Sequence, residues 1–169
     1  MKPGAVFAAL SVFLLVLGGV ARGAGPNHKE TLRGLTGVTI RVERLSESAS
    51  MDGLSARLIQ TDAEEKLKKA GIAVLTPAQA AQDPSSPVLY IYVNARLPYN
   101  SAPYAVMMTV AVLQNVVSAR DANLKLREVK TWDAGYLTAL DPTLLKQART
   151  NVGDLVDEFV KDWREVNQK

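Results

Sequence analysis

With 169 residues, no cysteine and a single histidine, the chain has room for one core. It has no means of building a disulfide, a thiolate metal site, a Cys nucleophile or a multi-histidine centre. Hydrophobic residues at 47% and charged residues at 22% exclude general disorder, and a single folded domain is expected over 34–169. The formal charge of +3 includes Lys2 and Arg22 near the N-terminus, so the rest of the chain is almost neutral. It holds no global attraction for nucleic acid or anionic lipid.

Lys2 precedes the apolar run "AVFAALSVFLLVLGGVA", and Ala21 and Gly23 are small residues two apart, as a signal-peptidase site requires. A signal peptide over 1–23 is expected, with cleavage before Ala24 and an exported, periplasmic product. The alternative is a retained anchor, because the run approaches the roughly 20 apolar residues that cross a bilayer. Contact with a membrane is expected only through that leader. "AGPNHKETLR", residues 24–33, lacks an apolar period and reads as a flexible arm that leaves His28 in solvent.

"GVTIRVERL" alternates Val38, Ile40 and Val42 against Thr39, Arg41 and Glu43, the period of a half-buried strand. "SESASMDG" reads as a turn that ends in an N-cap at Asp52. A helix follows, with Leu54, Leu58, Ala63, Leu67 and Ala70 as its stripe and Gly71 as its left-handed stop. "IAVL" is a short strand parallel to the first, and Thr76 with Pro77 starts a helical turn over 77–82.

"YIYVNARLPYNSAPYAVMMTVAV" predicts an antiparallel hairpin around the loop at residues 98–103. On its first strand Leu89, Ile91, Val93, Ala95 and Leu97 share one face, with Tyr90, Tyr92, Asn94 and Arg96 on the other. Its second is apolar on both sides, as a central strand is. "LKLREVKTWDAGYL" is a further strand in which Gly135 marks a bulge or a close approach. Asp141 and Pro142 open a terminal helix whose stripe is Leu145, Ala148, Val152, Leu155, Val156, Phe159 and Trp163. Gly153 interrupts that stripe and calls for close packing or a kink. The order β-α-β-β-β-β-α makes an α+β two-layer sandwich: a mixed sheet of about five strands with two helices on one face.

That order, together with "GVTIRVERL", the "AGIAVL" helix exit, "YAVMMTVAVLQNV", a "TW" with a nearby Gly and the terminal "VDEFVKDW", resembles a group of small exported bacterial proteins. The topology is similar to that of the TolB N-terminal domain and of the penicillin-binding-protein activator LpoB. The resemblance implies a binding or assembly role in the envelope, with no catalytic residues.

Chemistry read from the residues agrees with a non-enzyme that needs no cofactor. No phosphate-cradling Gly loop occurs. Asp154, Glu158 and Asp162 share a helix face with Lys161 and Arg164, which reads as solvated charge rather than a metal site. No spacing selects a Ser and Lys pair, so an enzyme of unfamiliar type is the weakest alternative. The aromatic residues are the remaining signal. Tyr90, Tyr92, Tyr99, Tyr104 and Trp132, with Met107 and Leu113, are the candidate surface for a protein or envelope component. Burial of the rings as core caps is the competing reading for some of them. An apolar small molecule is the alternative ligand, and nucleic acid is not expected because no basic groove accompanies the rings.

Overall fold

The computed structural model describes residues 28–82, 86–97 and 103–168. The expected signal peptide, residues 24–27 of the arm and Tyr99 lie outside the described residues. In order, the chain forms β1 (Gly37–Val42), α1 (Glu47–Met51), α2 (Ala56–Ala70), β2 (Ala73–Val74) and α3 (Pro77–Gln82). It continues through β3 (Val88–Arg96), β4 (Tyr104–Val117), β5 (Lys125–Leu140) and α4 (Gln147–Asn167), with 3-10 turns at His28–Leu32 and Pro142–Leu144.

The strands form one mixed sheet in the order β2-β1-β3-β4-β5. β1 lies parallel to both β2 and β3, while β3, β4 and β5 are successively antiparallel. Strand parity decides which side is dry. Leu89, Ile91 and Val93 on β3 and Val106, Met108, Val110 and Val112 on β4 are buried on the side where α2 and α4 pack together. α2 adds Ile59, Ala63 and Leu67, and α4 adds Val152, Val156, Phe159 and Trp163. Both long helices therefore cover one face, and the fold is the expected two-layer α+β sandwich.

Two glycines show how tightly these layers meet. Gly135 pairs with Thr109, and a Cβ there would stand 2.5 Å from the Met108 carbonyl oxygen, so only glycine fits. Gly153 lies within an unbroken α4, where a Cβ would meet Lys66 Cε at 3.1 Å. The close neighbour is thus α2 rather than the sheet. Lys66 Nζ donates to Asp157 at 2.5 Å, and Arg149 Nη2 donates to Asp62 at 2.6 Å, tying the two helices along their outer seam.

Local capping differs from expectation between β1 and α2. "SESASM" is a short helix, because Ser46 accepts from the Ala49 N–H at 3.3 Å and closes its first turn. Asp52 ends that helix instead of starting the next one; Ser55 caps α2, accepting from the Leu58 N–H at 3.4 Å. Ile59, four positions before Ala63, is the buried member of the stripe, while Leu58, five positions before it, stands 44% exposed. Leu54 and Ile59 occupy the N′ and N4 positions of a hydrophobic staple, and both are buried. Asp141 accepts from the Thr143 N–H at 2.9 Å and caps the 3-10 turn that precedes α4.

From His28 the expected arm is part of the fold. Leu32 is fully buried, and Asn167 Nδ2 donates to its carbonyl at 2.9 Å. His28 does not stand in solvent: its ring stacks on Trp132 with centroids 5.6 Å apart. Its Nε2 accepts from the Asp133 N–H at 2.6 Å, a donor on the β5 edge that β4 does not take. The turn thereby closes part of the free edge of the sheet.

Candidate interaction surface

The second face of the sheet is built by the other parity. Tyr90, Tyr92 and Asn94 on β3 stand beside Ala111, Thr109 and Met107 on β4, and Asp133, Gly135 and Leu137 continue those rows on β5. Gly135, Thr109 and Ala111 are small because the sheet is tight there, while the tyrosines and Leu113 are tall. Between them lies a trough of about 320 Å³ lined by Tyr90, Tyr92, Thr109, Ala111, Leu113 and Lys130.

One end of this face carries a charge network. Arg41 stacks over the Tyr90 ring at 5.5 Å and donates to both carboxylate oxygens of Glu128, at 3.1 and 2.9 Å. Tyr90 Oη donates to Glu43 at 2.6 Å. That hydrogen bond, then burial and the Glu43 charge, push the Tyr90 phenol up to about 12. Glu128 is held below the usual carboxylate range by the same Arg41. In sheet order β3 and β4 separate β1 from β5, so an Arg41 to Glu128 contact requires β5 to lean back over the open face.

Register shifts supply that lean. Thr131 is an extra residue opposite the Val112 to Leu113 step, and Arg127 and Glu128 together face Asn115. Glu128 takes φ 50, the left-handed region, and Asn115 Oδ1 accepts its N–H at 3.1 Å. The conformation is therefore held from both the backbone and the side chain.

The structure sorts the candidate residues into two groups. Tyr90, Tyr92 and Leu113 are half-buried around the trough, and Met107 is 42% exposed on the same face. Tyr104 and Trp132 are not surface residues. Tyr104 is fully buried, with its hydroxyl donating to Asp52 at 2.6 Å. Trp132 is 1% exposed, edge-on to Phe159 at 5.4 Å, and its Nε1 donates to Asp162 at 3.0 Å. Parity put both on the helix side, where a ring with one polar atom fills volume and finds a single partner. Tyr99 lies outside the described residues.

Leu137, 63% exposed and paired with Met107, is the surface residue that the sequence reading missed. Its parity relative to Gly135 was readable, but its partner was fixed only by the register of β5. Glu128 and Lys130 were also missed, since the irregular register of β5 brings them to the face, where Glu128 meets Arg41 of β1. Among the described residues, no group of three acidic or histidine side chains is placed to hold a metal ion. No helix among them is long and apolar enough to cross a membrane.

No protein-family model matches the chain, and neither does any curated protein. Among solved structures it is similar to PelC from Paraburkholderia phytofirmans. A single-substitution variant of the PelC dodecamer is 16% identical, with a TM-score of 0.45 over 75% of this chain and 89% of that one. A second PelC dodecamer is 15% identical, with a TM-score of 0.41 over 76% of this chain and 86% of that one. Likeness at this level transfers neither activity nor assembly.

Proposed function

We propose that this is an exported, non-catalytic protein that binds a protein or envelope component through the open face of its sheet. The carrying observation is the Met107 and Leu137 pair, 42% and 63% exposed, beside a tyrosine-walled trough on the face that neither long helix covers. Large aliphatic side chains grouped on one face mark a contact site more often than scattered ones do. The aromatic rings add apolar area with a polar tip, suited to a partner that is partly wet. Export is supported by the leader pattern in residues 1–23.

The test is capture from envelope extracts by the tagged chain and by its Met107→Asp with Leu137→Asp variant. Recovery of the partner should fall by more than about tenfold in the variant while its melting temperature stays unchanged. Equal recovery by both would remove the open face from the reading. N-terminal sequencing of the periplasmic product should begin at Ala24; a chain still beginning at Met1 would remove cleavage.

The trough supports a second reading, an apolar small ligand lying on Tyr90 and Tyr92. Its volume is at the lower limit of ligand sites, which start at roughly 300 Å³. A ligand there would co-purify with the parent and be lost on Ala111→Leu, which fills the floor.

A further inference from the structure

Beyond Leu113 the β4 and β5 ribbon leaves the sheet, because β3 pairs with β4 only as far as that residue. Its end is apolar where a solvent-exposed hairpin would ordinarily be polar. Val117 is 56% exposed, Leu124 48% and Leu126 43%. Val117 pairs with Lys125, and Val116 with Leu126, so the alternation puts Leu124 and Leu126 on one side of the ribbon and Val117, Lys125 and Arg127 on the other. Both sides of the end thus carry aliphatic side chains that the fold does not cover.

Charge at this end is net positive, with three cations against the one carboxylate of the turn, Asp121. Arg120, Lys125 and Arg127 are exposed, and none of the three joins an ion pair among the described residues. Of the carboxylates nearby, Asp121 accepts from the Asn123 N–H at 2.9 Å within the turn and keeps its charge, and Glu128 is paired with Arg41. Aliphatic side chains at a projecting end with free cations behind them complement an apolar boundary covered by anionic head groups.

We infer that the hairpin tip docks on an anionic lipid surface, with Leu124, Leu126 and Val117 entering the head-group boundary and Arg120, Lys125 and Arg127 facing the phosphates. The inference goes beyond the open-face reading and uses different residues.

The test uses the exported chain, beginning at Ala24 and carrying Leu124→Trp, added to vesicles of phosphatidylcholine alone or mixed equally with phosphatidylglycerol. The native Trp132 and Trp163 are buried and give a constant background. With the leader removed, the new fluorophore reports the tip alone. Emission should shift to the blue on the mixed vesicles and stay at its value in buffer on the neutral ones. Adding Lys125→Ala and Arg127→Ala should weaken the titration on mixed vesicles roughly thirtyfold, from about 1 kcal/mol per cation near such a surface. High salt should do likewise. Unshifted emission on the mixed vesicles would overturn the inference, and so would an equal shift on both types. A blue shift that grows with protein concentration in the absence of lipid would assign the tip to a second copy instead.

Discussion

His28 Nε2 accepts a backbone N–H, so the ring is neutral in this arrangement and a proton on that atom breaks the contact. Burial lowers the His28 pKa from its ordinary value, and the nearby Asp133 and Asp162 charges oppose burial without overcoming it. A folded pKa below the unfolded one contributes stability that is complete above about pH 6.5 and is lost as pH falls through the folded value. The single histidine resonance should therefore titrate below that of a free histidine. The His28→Ala variant should show a weaker fall in melting temperature between neutral and mildly acid pH. A midpoint at or above the free value would contradict the stacked geometry.

Tyr90 gives the opposite sign on the alkaline side. Its pKa of about 12 means that the stability from its neutral hydroxyl is complete below about 10 and is lost as pH rises between the two values. Trp132, on which His28 stacks, is a core residue, and Trp132→Ala should cost about 3–5 kcal/mol in denaturant unfolding. A cost under about 1 kcal/mol would mean that the ring is not packed as described.

At the scale of elements, two glycines that look alike in the sequence have opposite expected behaviour. Gly135→Ala puts a methyl group against the backbone oxygen of Met108, which β4 cannot move without breaking its ladder. A destabilisation of about 1–3 kcal/mol is expected. Gly153→Ala meets only the stem of Lys66, a side chain that can rotate aside, while α4 gains up to about 1 kcal/mol of helix propensity. That variant should be as stable as the parent or slightly more so. Chemical unfolding of the two proteins checks both, and a destabilised Gly153→Ala would show that Lys66 is fixed by Asp157 more firmly than an exposed ion pair normally is.

For the whole molecule, the N-terminal turn does two things at once. Leu32 fills core, and His28 with Thr31 covers part of the β5 edge, the Thr31 hydroxyl lying 3.1 Å from the Thr131 carbonyl. A chain beginning at Gly34 should lose roughly 3 kcal/mol or more, since one buried leucine and its cavity account for about that much. It should also self-associate, because the bared edge offers unpaired backbone groups. Light scattering and thermal melting check the two effects separately. A monomer with unchanged melting temperature would show that the turn is not part of the domain.

Sequence by itself determined what depends on period and on short-range stereochemistry. Period 2 placed Leu89, Ile91 and Val93 opposite Tyr90 and Tyr92, the helical period found every buried position of α4 that it named, and Gly71 stopped α2 with φ 81. Tertiary structure alone decided whatever depends on which neighbour a side chain meets. Ser55 took the cap expected of Asp52, which instead ends α1 and accepts the Tyr104 hydroxyl from across the fold. Trp132 and Tyr104 became core, and Leu137 became surface, because the unbroken β4–β5 register from Tyr104 with Leu140 to Val112 with Trp132 sets which residues stand side by side, and the helices cover only one of the two faces. Alternation gives each strand two faces, but a partner's register, set by contacts far apart in the chain, decides what those faces touch.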